Sequence, residues 1–364
     1  MTPQRSPGLH QTLVAAAPGD AVTNSALEIR RLLRRVCPSE IFAHHIHPEL
    51  MGDVHPLTSY VGGYGNGSTR ITLVHLSMGD PLWLAWVLGL DGEFIVSYHN
   101  IAPAHYFRTL DRSTADLLEF GRRTLGALAG RTILALADSA FNGRELELHG
   151  YPNVRVGGLL VDGQALTRVS PDPAVLTAAL DRGCITVLHV GQLFPHKRAD
   201  FLIVAMRRLL DTFEVDATLV LAGATRMPAY RQSLISYIER LGLTERVILT
   251  GPISQEAMSA YFRTADILVT ASEHEGFCVP LIEAMSFGVP IVARDFAAIP
   301  ETAAGVAALV SPDAGPTSFA GVVAAVLENR AAADIMRERG FVRARQLSLE
   351  GAQTTFLEAI VSVL

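Results

Sequence analysis

Short apolar runs alternate with amphipathic stretches along the whole chain. Residues 10–17 (HQTLVAAA), 69–76 (TRITLVHL), 93–99 (EFIVSYH) and 132–139 (TILALADS) are brief, continuously apolar and rich in β-branched residues, which predicts buried strands. Between them, 26–36 (ALEIRRLLRRV) and 115–130 (ADLLEFGRRTLGALAG) carry the periodicity of helices with one apolar face. The second half repeats the alternation. Strands are expected at 184–191, 216–223, 246–251, 265–272 and 290–294, and helices near 199–210, 228–241, 255–263 and 280–287. Strands apolar on both faces and separated by helices predict parallel sheets covered on both sides. Two such series predict an α/β chain of two Rossmann-like, doubly wound domains facing across a cleft. Glycine, proline and polar residues gather at 156–175, so the expected domains are 1–165 and 166–350. A terminal helix at 351–364 either caps the second domain or returns to the first.

Composition narrows the function classes. The length of 364 residues suits two domains of about 150 residues each. With 49% hydrophobic and 18% charged residues, a soluble globular chain with an ample core is expected. A net charge of −6 and a pI near 6.1 argue against a general nucleic-acid binder. Cys37, Cys184 and Cys278 show neither disulfide nor zinc spacing, which points to a reducing cytoplasm. The first residues lack an apolar stretch of signal-peptide length. The most apolar window, PLWLAWVLGL at 81–90, falls short of the about 20 residues that a membrane span needs.

The stretch EHEGFCVPLIEAM at 273–285 carries the chemistry. It follows the strand ending at Ser272, and Pro280 suits the first turn of a helix that Gly288 and Pro290 stop. The backbone amides near Phe277 to Val279 then form an anion site at a helix N-terminus, suited to phosphate. Glu275 in the loop and Glu283 in the first turn flank it. Carboxylates accept hydrogen bonds from hydroxyls, so a phosphate with a sugar on one side and a ribose on the other fits. The plainer reading is that both glutamates complement the helix dipole. Lys197 and Arg198, in the loop after the strand that ends at Gly191, add cations able to meet phosphate oxygens.

At this point the chain resembles the family-4 retaining glycosyltransferases of the GT-B fold. The resemblance rests on Glu275-Gly276-Phe277 with Glu283-Ala284-Met285 and GVP, on VGQL, HK and Ala at 190–205, and on TG at 250–251. The first domain matches more loosely, through DAVTN, HLSMGDP, YHNIAP and ADSAFNGREL. The resemblance implies transfer of a hexosyl group from a nucleoside-diphosphate sugar, UDP- or GDP-linked for preference, to an acceptor hydroxyl with retention. Polysaccharide, glycolipid or glycoconjugate biosynthesis is the implied setting. It implies Glu275 on the donor sugar, the amides of Gly276, Phe277, Cys278 and Val279 on the distal phosphate, and Glu283 on the ribose. Lys197 meets the diphosphate, Gly251 to Ile253 the nucleobase, and His99 the transferred sugar from the first, acceptor-side domain. No metal and no cofactor are expected. Two positions depart from the family's habit: Gln192 stands where arginine is common, so that some phosphate stabilisation is either absent or supplied by Arg198, and Cys278 where glycine is common.

Weaker signals remain. His45 and His47 share a strand face near His55, yet no carboxylate or cysteine stands at ligand spacing, so strand-end histidines are the default. Arg30, Arg31, Arg34 and Arg35 line one face of the helix at 26–36, which suits peripheral contact with the anionic inner face of a membrane and a lipid-linked acceptor. A solvated helix face is the commoner explanation. GGYGNG at 62–67 is expected to be a loop, Arg122 is a distant candidate for phosphate, and Cys278 at a helix N-terminus has the setting of a depressed thiol pKa. The competing functions are a sugar-nucleotide epimerase or another non-transferase enzyme on the same plan, and a non-catalytic two-lobed binding protein.

Overall fold

The computed structural model describes residues 8–60, 70–157 and 159–363; the glycine run at 62–67 lies outside them. The chain divides into two compact units, one of Met1–Arg108, Arg112–Val161 and Leu349–Leu364, the other of Thr109–Asp111 and Asp162–Ser348.

Unit 1 runs β1 (His10–Ala16), α1 (Ala21–Leu33), β2 (Ile41–Ile46), β3 (His55–Pro56), β4 (Ile71–Leu76), α2 (Pro81–Leu88), β5 (Glu93–Tyr98), α3 (Arg112–Arg123), β6 (Thr132–Ala137), α4 (Ala140–Leu148) and β7 (Val154–Val156). Its seven strands pair in the order β3-β2-β1-β4-β5-β6-β7, all parallel. Unit 2 runs α5 (Pro173–Asp181), β8 (Ile185–Val190), α6 (Ala199–Asp211), β9 (Ala217–Ala222), α7 (Pro228–Arg240), β10 (Val247–Gly251), α8 (Gln255–Thr264), β11 (Ile267–Thr270), α9 (Val279–Phe287), β12 (Ile291–Arg294), α10 (Ile299–Ala303), β13 (Ala308–Val310), α11 (Pro316–Glu328) and α12 (Arg330–Gln346). Its six parallel strands pair in the order β10-β9-β8-β11-β12-β13. The last helix, α13 (Leu349–Val361), buries Phe356, Ala359 and Ile360 against Leu9, Ile29, Leu73 and Ile95, so it belongs to unit 1.

Every residue of β4 and of β9 is buried, as helices on both faces of a parallel sheet require. The short polar loops at the strand ends are then the places where functional groups can gather. In unit 2 these ends are drawn together by glycines. Gly223 follows β9 at φ 144°, and a Cβ there would lie 2.0 Å from the Gly191 carbonyl oxygen. Gly223 also forms an isolated bridge with Gly251. The ends of β8, β9 and β10 therefore approach at backbone distance, which no side chain at position 223 permits.

Gly223→Ala is expected to lower unit-2 stability by about 2 kcal/mol or more. Gly183→Ala, at φ 62° in open space, bears only left-handed strain, about 1 kcal/mol. Chemical denaturation of both variants checks this; equal losses would contradict the close-approach account.

Candidate active site

Strand order locates the site in unit 2. β8 and β11 are neighbours, yet the chain leaves β8 towards β9 and β10, and leaves β11 towards β12 and β13. At such a reversal the two loops beyond the carboxyl ends diverge and open a crevice, where parallel sheets bind ligands. One loop carries Gln192, Lys197 and Arg198; the other carries Glu273 to Cys278.

The two loops meet through charge. Lys197 Nζ donates to Glu275 Oε1 at 2.6 Å, with side chains 19% and 9% exposed. The Glu273 amide donates to the His196 carbonyl at 2.8 Å, a second tie between the same loops. Thirty positions in the chain are lysine or arginine, and Lys197 is the one lysine. A chain that otherwise uses arginine keeps here a compact point charge in place of a planar fork. That signal was available in the sequence, and the motif reading passed over it.

α9 supplies the anion-binding groups. Its N-cap, Cys278, makes no side-chain capping bond, and Pro280 brings no N–H. The amides of Gly276, Phe277, Cys278 and Val279 have no protein acceptor among the described residues. Cys278 sits at φ 74°, a left-handed conformation in which glycine is at ease; this is the physical content of the departure seen in the sequence. Burial, and after it the Glu275 carboxylate, pushes the Cys278 thiol well above its usual range. The expectation of a depressed thiol pKa is therefore corrected: desolvation outweighs the helix terminus. The same thiol feels the charges of Lys197 and Glu283, which places all three charged groups around the start of α9.

Glu283 lies in the second turn of α9, not in the first turn as the sequence suggested. It is half-buried, makes no hydrogen bond or ion pair among the described residues, and burial alone raises its pKa to about 7. Arg198 is different. Its guanidinium bonds Asp200 at 3.0 Å and also Glu273, which Arg294 shares at 2.9 Å. Arg198 is thus paired with two protein carboxylates, Asp200 and Glu273. Gln192 is half-buried, and its carbonyl accepts the Phe194 amide at 2.8 Å. Gly251, at φ 69°, ends β10, and Ile253 packs on the unit-2 core.

In unit 1 the strand order reverses between β1 and β4, and His99 follows the adjacent β5. Its ring does not face solvent. Nδ1 lies 2.9 Å from Asp138 Oδ2 and Nε2 lies 2.8 Å from His75 Nδ1, with the side chain 2% exposed. The residue as a whole is half-buried, so its accessible surface is main chain. His45 and His47 do not converge. Instead His44 and His45 both contact Asp80 Oδ2, at 3.0 and 3.2 Å, supplying the carboxylate that local spacing could not reveal. Asp80 caps α2 through Oδ1, and a cation there would face the positive end of that helix. His55 instead stands 3.5 Å from Glu40.

On the first helix, α1 ends at Leu33 and Arg30 is buried against Asp53, whereas Arg31, paired with Glu28, and Arg34, paired with Glu40, are exposed. Arg122 is spent on Glu145 and on the Ile101 carbonyl at 2.6 Å. No helix among the described residues is long and apolar enough to cross a membrane.

Residues 179–343 match the family model described as glycosyl transferases group 1. The D-inositol 3-phosphate glycosyltransferase of Nocardia farcinica is 32% identical over 184 residues, 49% of this chain and 40% of that protein. The enzyme of the same name from Geodermatophilus obscurus is 28% identical over 234 residues, 60% of this chain and 50% of that protein. The chain thus spans half or less of the length of these curated relatives. Among solved structures, Anabaena Alr3699/HepE in complex with UDP and glucose superposes with a TM-score of 0.76 at 17% identity, covering 98% of this chain and 99% of that one. WaaG, a glycosyltransferase involved in lipopolysaccharide biosynthesis, gives 0.69 at 14% identity, covering 95% and 99%. At such identities the likeness is one of fold: two parallel-sheet α/β units of the GT-B class.

Alkylation at pH 8 tests the thiol environments. Half-buried Cys37 and Cys184 should react well before buried Cys278; peptide mapping that finds Cys278 reacting first would contradict the site as described.

Proposed function

We propose, from the match of residues 179–343 to the model of glycosyl transferases group 1, that the protein moves a hexosyl group from a nucleoside-diphosphate sugar to an acceptor hydroxyl, with retention at the anomeric carbon. The observation that carries the reading is the Lys197–Glu275 pair beside four unpartnered amides at the start of α9. HepE was solved with UDP and glucose, which supports a UDP-linked hexose as the first donor to test.

Departure of the diphosphate builds negative charge on its distal phosphate. The α9 amides and Lys197 are aimed at that charge before it forms, so they need not reorganise as it grows. Glu275 orients Lys197 with Oε1 and offers its other oxygen to donor-sugar hydroxyls. Glu283 accepts from the ribose, and the Gly251–Ile253 turn meets the base through its backbone. Unit 1 takes the acceptor, a sugar, a lipid-linked sugar or another small hydroxyl compound, and offers the His99 carbonyl, not its ring, as its hydrogen-bond acceptor there. Attack comes from the face the diphosphate leaves, and the departing phosphate oxygen takes the acceptor proton. No enzymic nucleophile is required, and the lysine with the helix terminus replaces a metal in neutralising the diphosphate.

Glu275→Gln and Lys197→Ala should each lower turnover with UDP-hexoses by about 100-fold or more. Lys197→Ala strands the buried Glu275 carboxylate, so Lys197→Arg, which keeps the charge, serves as the folded control. Turnover near the wild-type level in both Glu275→Gln and Lys197→Ala would remove the site assignment.

Glu283 supplies a pH test. Its folded-state pKa of about 7 stands above the ordinary 4.5, so the unfolded chain ionises first and stability falls as pH rises from 4.5 to 7. Hydroxyl binding favours the carboxylate, so UDP affinity should rise about tenfold between pH 6 and pH 8, with one proton released. Glu283→Gln should bind more weakly, bind without that slope, and gain stability relative to wild type as pH rises. Calorimetry in two buffers reads the proton; an unchanged slope in the variant would show that Glu283 does not meet the nucleotide.

A further inference from the structure

A chain of buried hydrogen bonds runs from Gln11, near the start of β1, to the carboxyl ends of β4, β5 and β6. Gln11 on β1 donates from Nε2 to the Ala26 carbonyl at 3.0 Å. Its Oε1 stands 2.9 Å from His75 Nε2 on β4. His75 Nδ1 stands 2.8 Å from His99 Nε2, and His99 Nδ1 stands 2.9 Å from Asp138 Oδ2, beyond β6. Ser97 Oγ lies 3.2 Å from His99 Nε2. Gln11 and His75 are fully buried, and the two ring planes lie 12° apart.

Donors and acceptors in this chain can be ordered. Turning the Gln11 amide over would set Oε1 against the Ala26 carbonyl oxygen, an acceptor against an acceptor, so Oε1 faces His75. His75 Nε2 must then carry a proton. Burial, then the charge of His99, holds His75 neutral, so its Nδ1 is an acceptor and His99 Nε2 must donate to it. The remaining nitrogen, His99 Nδ1, faces a carboxylate, which accepts and does not donate. Both His99 nitrogens are thereby assigned protons. Among the described residues, the titratable groups the structure places against this ring are His75 and Asp138, and no cation is among them.

We propose that His99 is a buried imidazolium paired with Asp138, ordered by Gln11 and His75, so that Asp138 and His75 are positioning residues that pin the ring and leave only the His99 main-chain carbonyl for a ligand. The charge state stands on the hydrogen-bond geometry together with the neutrality of fully buried His75; its consequence for transfer rests on the proposed function. The carbonyl is further set by Asn100, at φ 74°, whose amide donates to Asn142 Oδ1 at 2.7 Å. A ring with both nitrogens engaged cannot exchange protons with substrate, which excludes His99 as a general acid or base.

Asp138→Asn separates charge from hydrogen bonding, because an amide can donate to a deprotonated His99 Nδ1 and keep the chain intact. Long-range proton–nitrogen spectra of the histidine rings at pH 7.5 should show two N–H protons on His99 and one, on Nε2, for His75; His99→Gln assigns the signals. In Asp138→Asn, His99 should lose one of its two. A neutral His99 in the wild type, or a His75 protonated on Nδ1, overturns the proposal. For transfer, Asp138→Asn should keep turnover within a few-fold, whereas Asp138→Ala, which frees the ring, should lose about 100-fold with donor KM little changed. Equal losses in the two variants would overturn the positioning role. If no nucleotude sugar is turned over at all, the spectra still decide the charge, so the two failures are told apart.

Discussion

The Lys197–Glu275 ion pair is the constraint on which the site depends. It joins the loops after β8 and β11 where the strand order reverses, and both members are largely withdrawn from water. Charges so placed hold one another in position, because either alone would be costly. The pair also sets a cation and a carboxylate beside the N-terminus of α9. The glycine contacts among β8, β9 and β10 are what allow the first of these loops to lie so close to the sheet.

Satisfied and unsatisfied groups divide the molecule by role. Arg198, Arg122, Arg30 and the His99 ring each meet protein partners in full view of the fold. They organise loops and strand ends. Among the described residues, Glu283 and the four amides of Gly276 to Val279 have no such partner. Half-buried groups left without partners are a standing cost to stability, and the ligand chemistry they fit is a phosphate flanked by hydroxyls. The raised pKa of Glu283 is that cost made measurable.

The sequence carried the architecture well and the side-chain commitments poorly. Continuous apolar strands separated by amphipathic helices were enough to indicate two parallel sheets, because burial on both faces imposes that pattern. β3, β7 and β13 were not foreseen, being two or three residues long at or near sheet edges. Glu275, Lys197 and the start of α9 were legible because the motif is local and falls just after strands. The contact of Arg198 with Glu273 and those of the His99 ring with His75 and Asp138 were not legible, because these partners are distant in sequence. The His44–Asp80 contact is hidden in the same way, since 36 residues separate its members. Composition held one further clue, the solitary lysine.

That solitary lysine makes the central claim directly measurable. Reductive methylation modifies Lys197 and the chain's α-amine, and mass spectrometry reads the two rates separately, the α-amine serving as reference. With UDP at about ten times its dissociation constant, fixed beforehand by thermal stabilisation, modification of Lys197 should slow about tenfold while the α-amine is unaffected. An unchanged Lys197 rate under saturating nucleotide would place the nucleotide elsewhere and contradict the account.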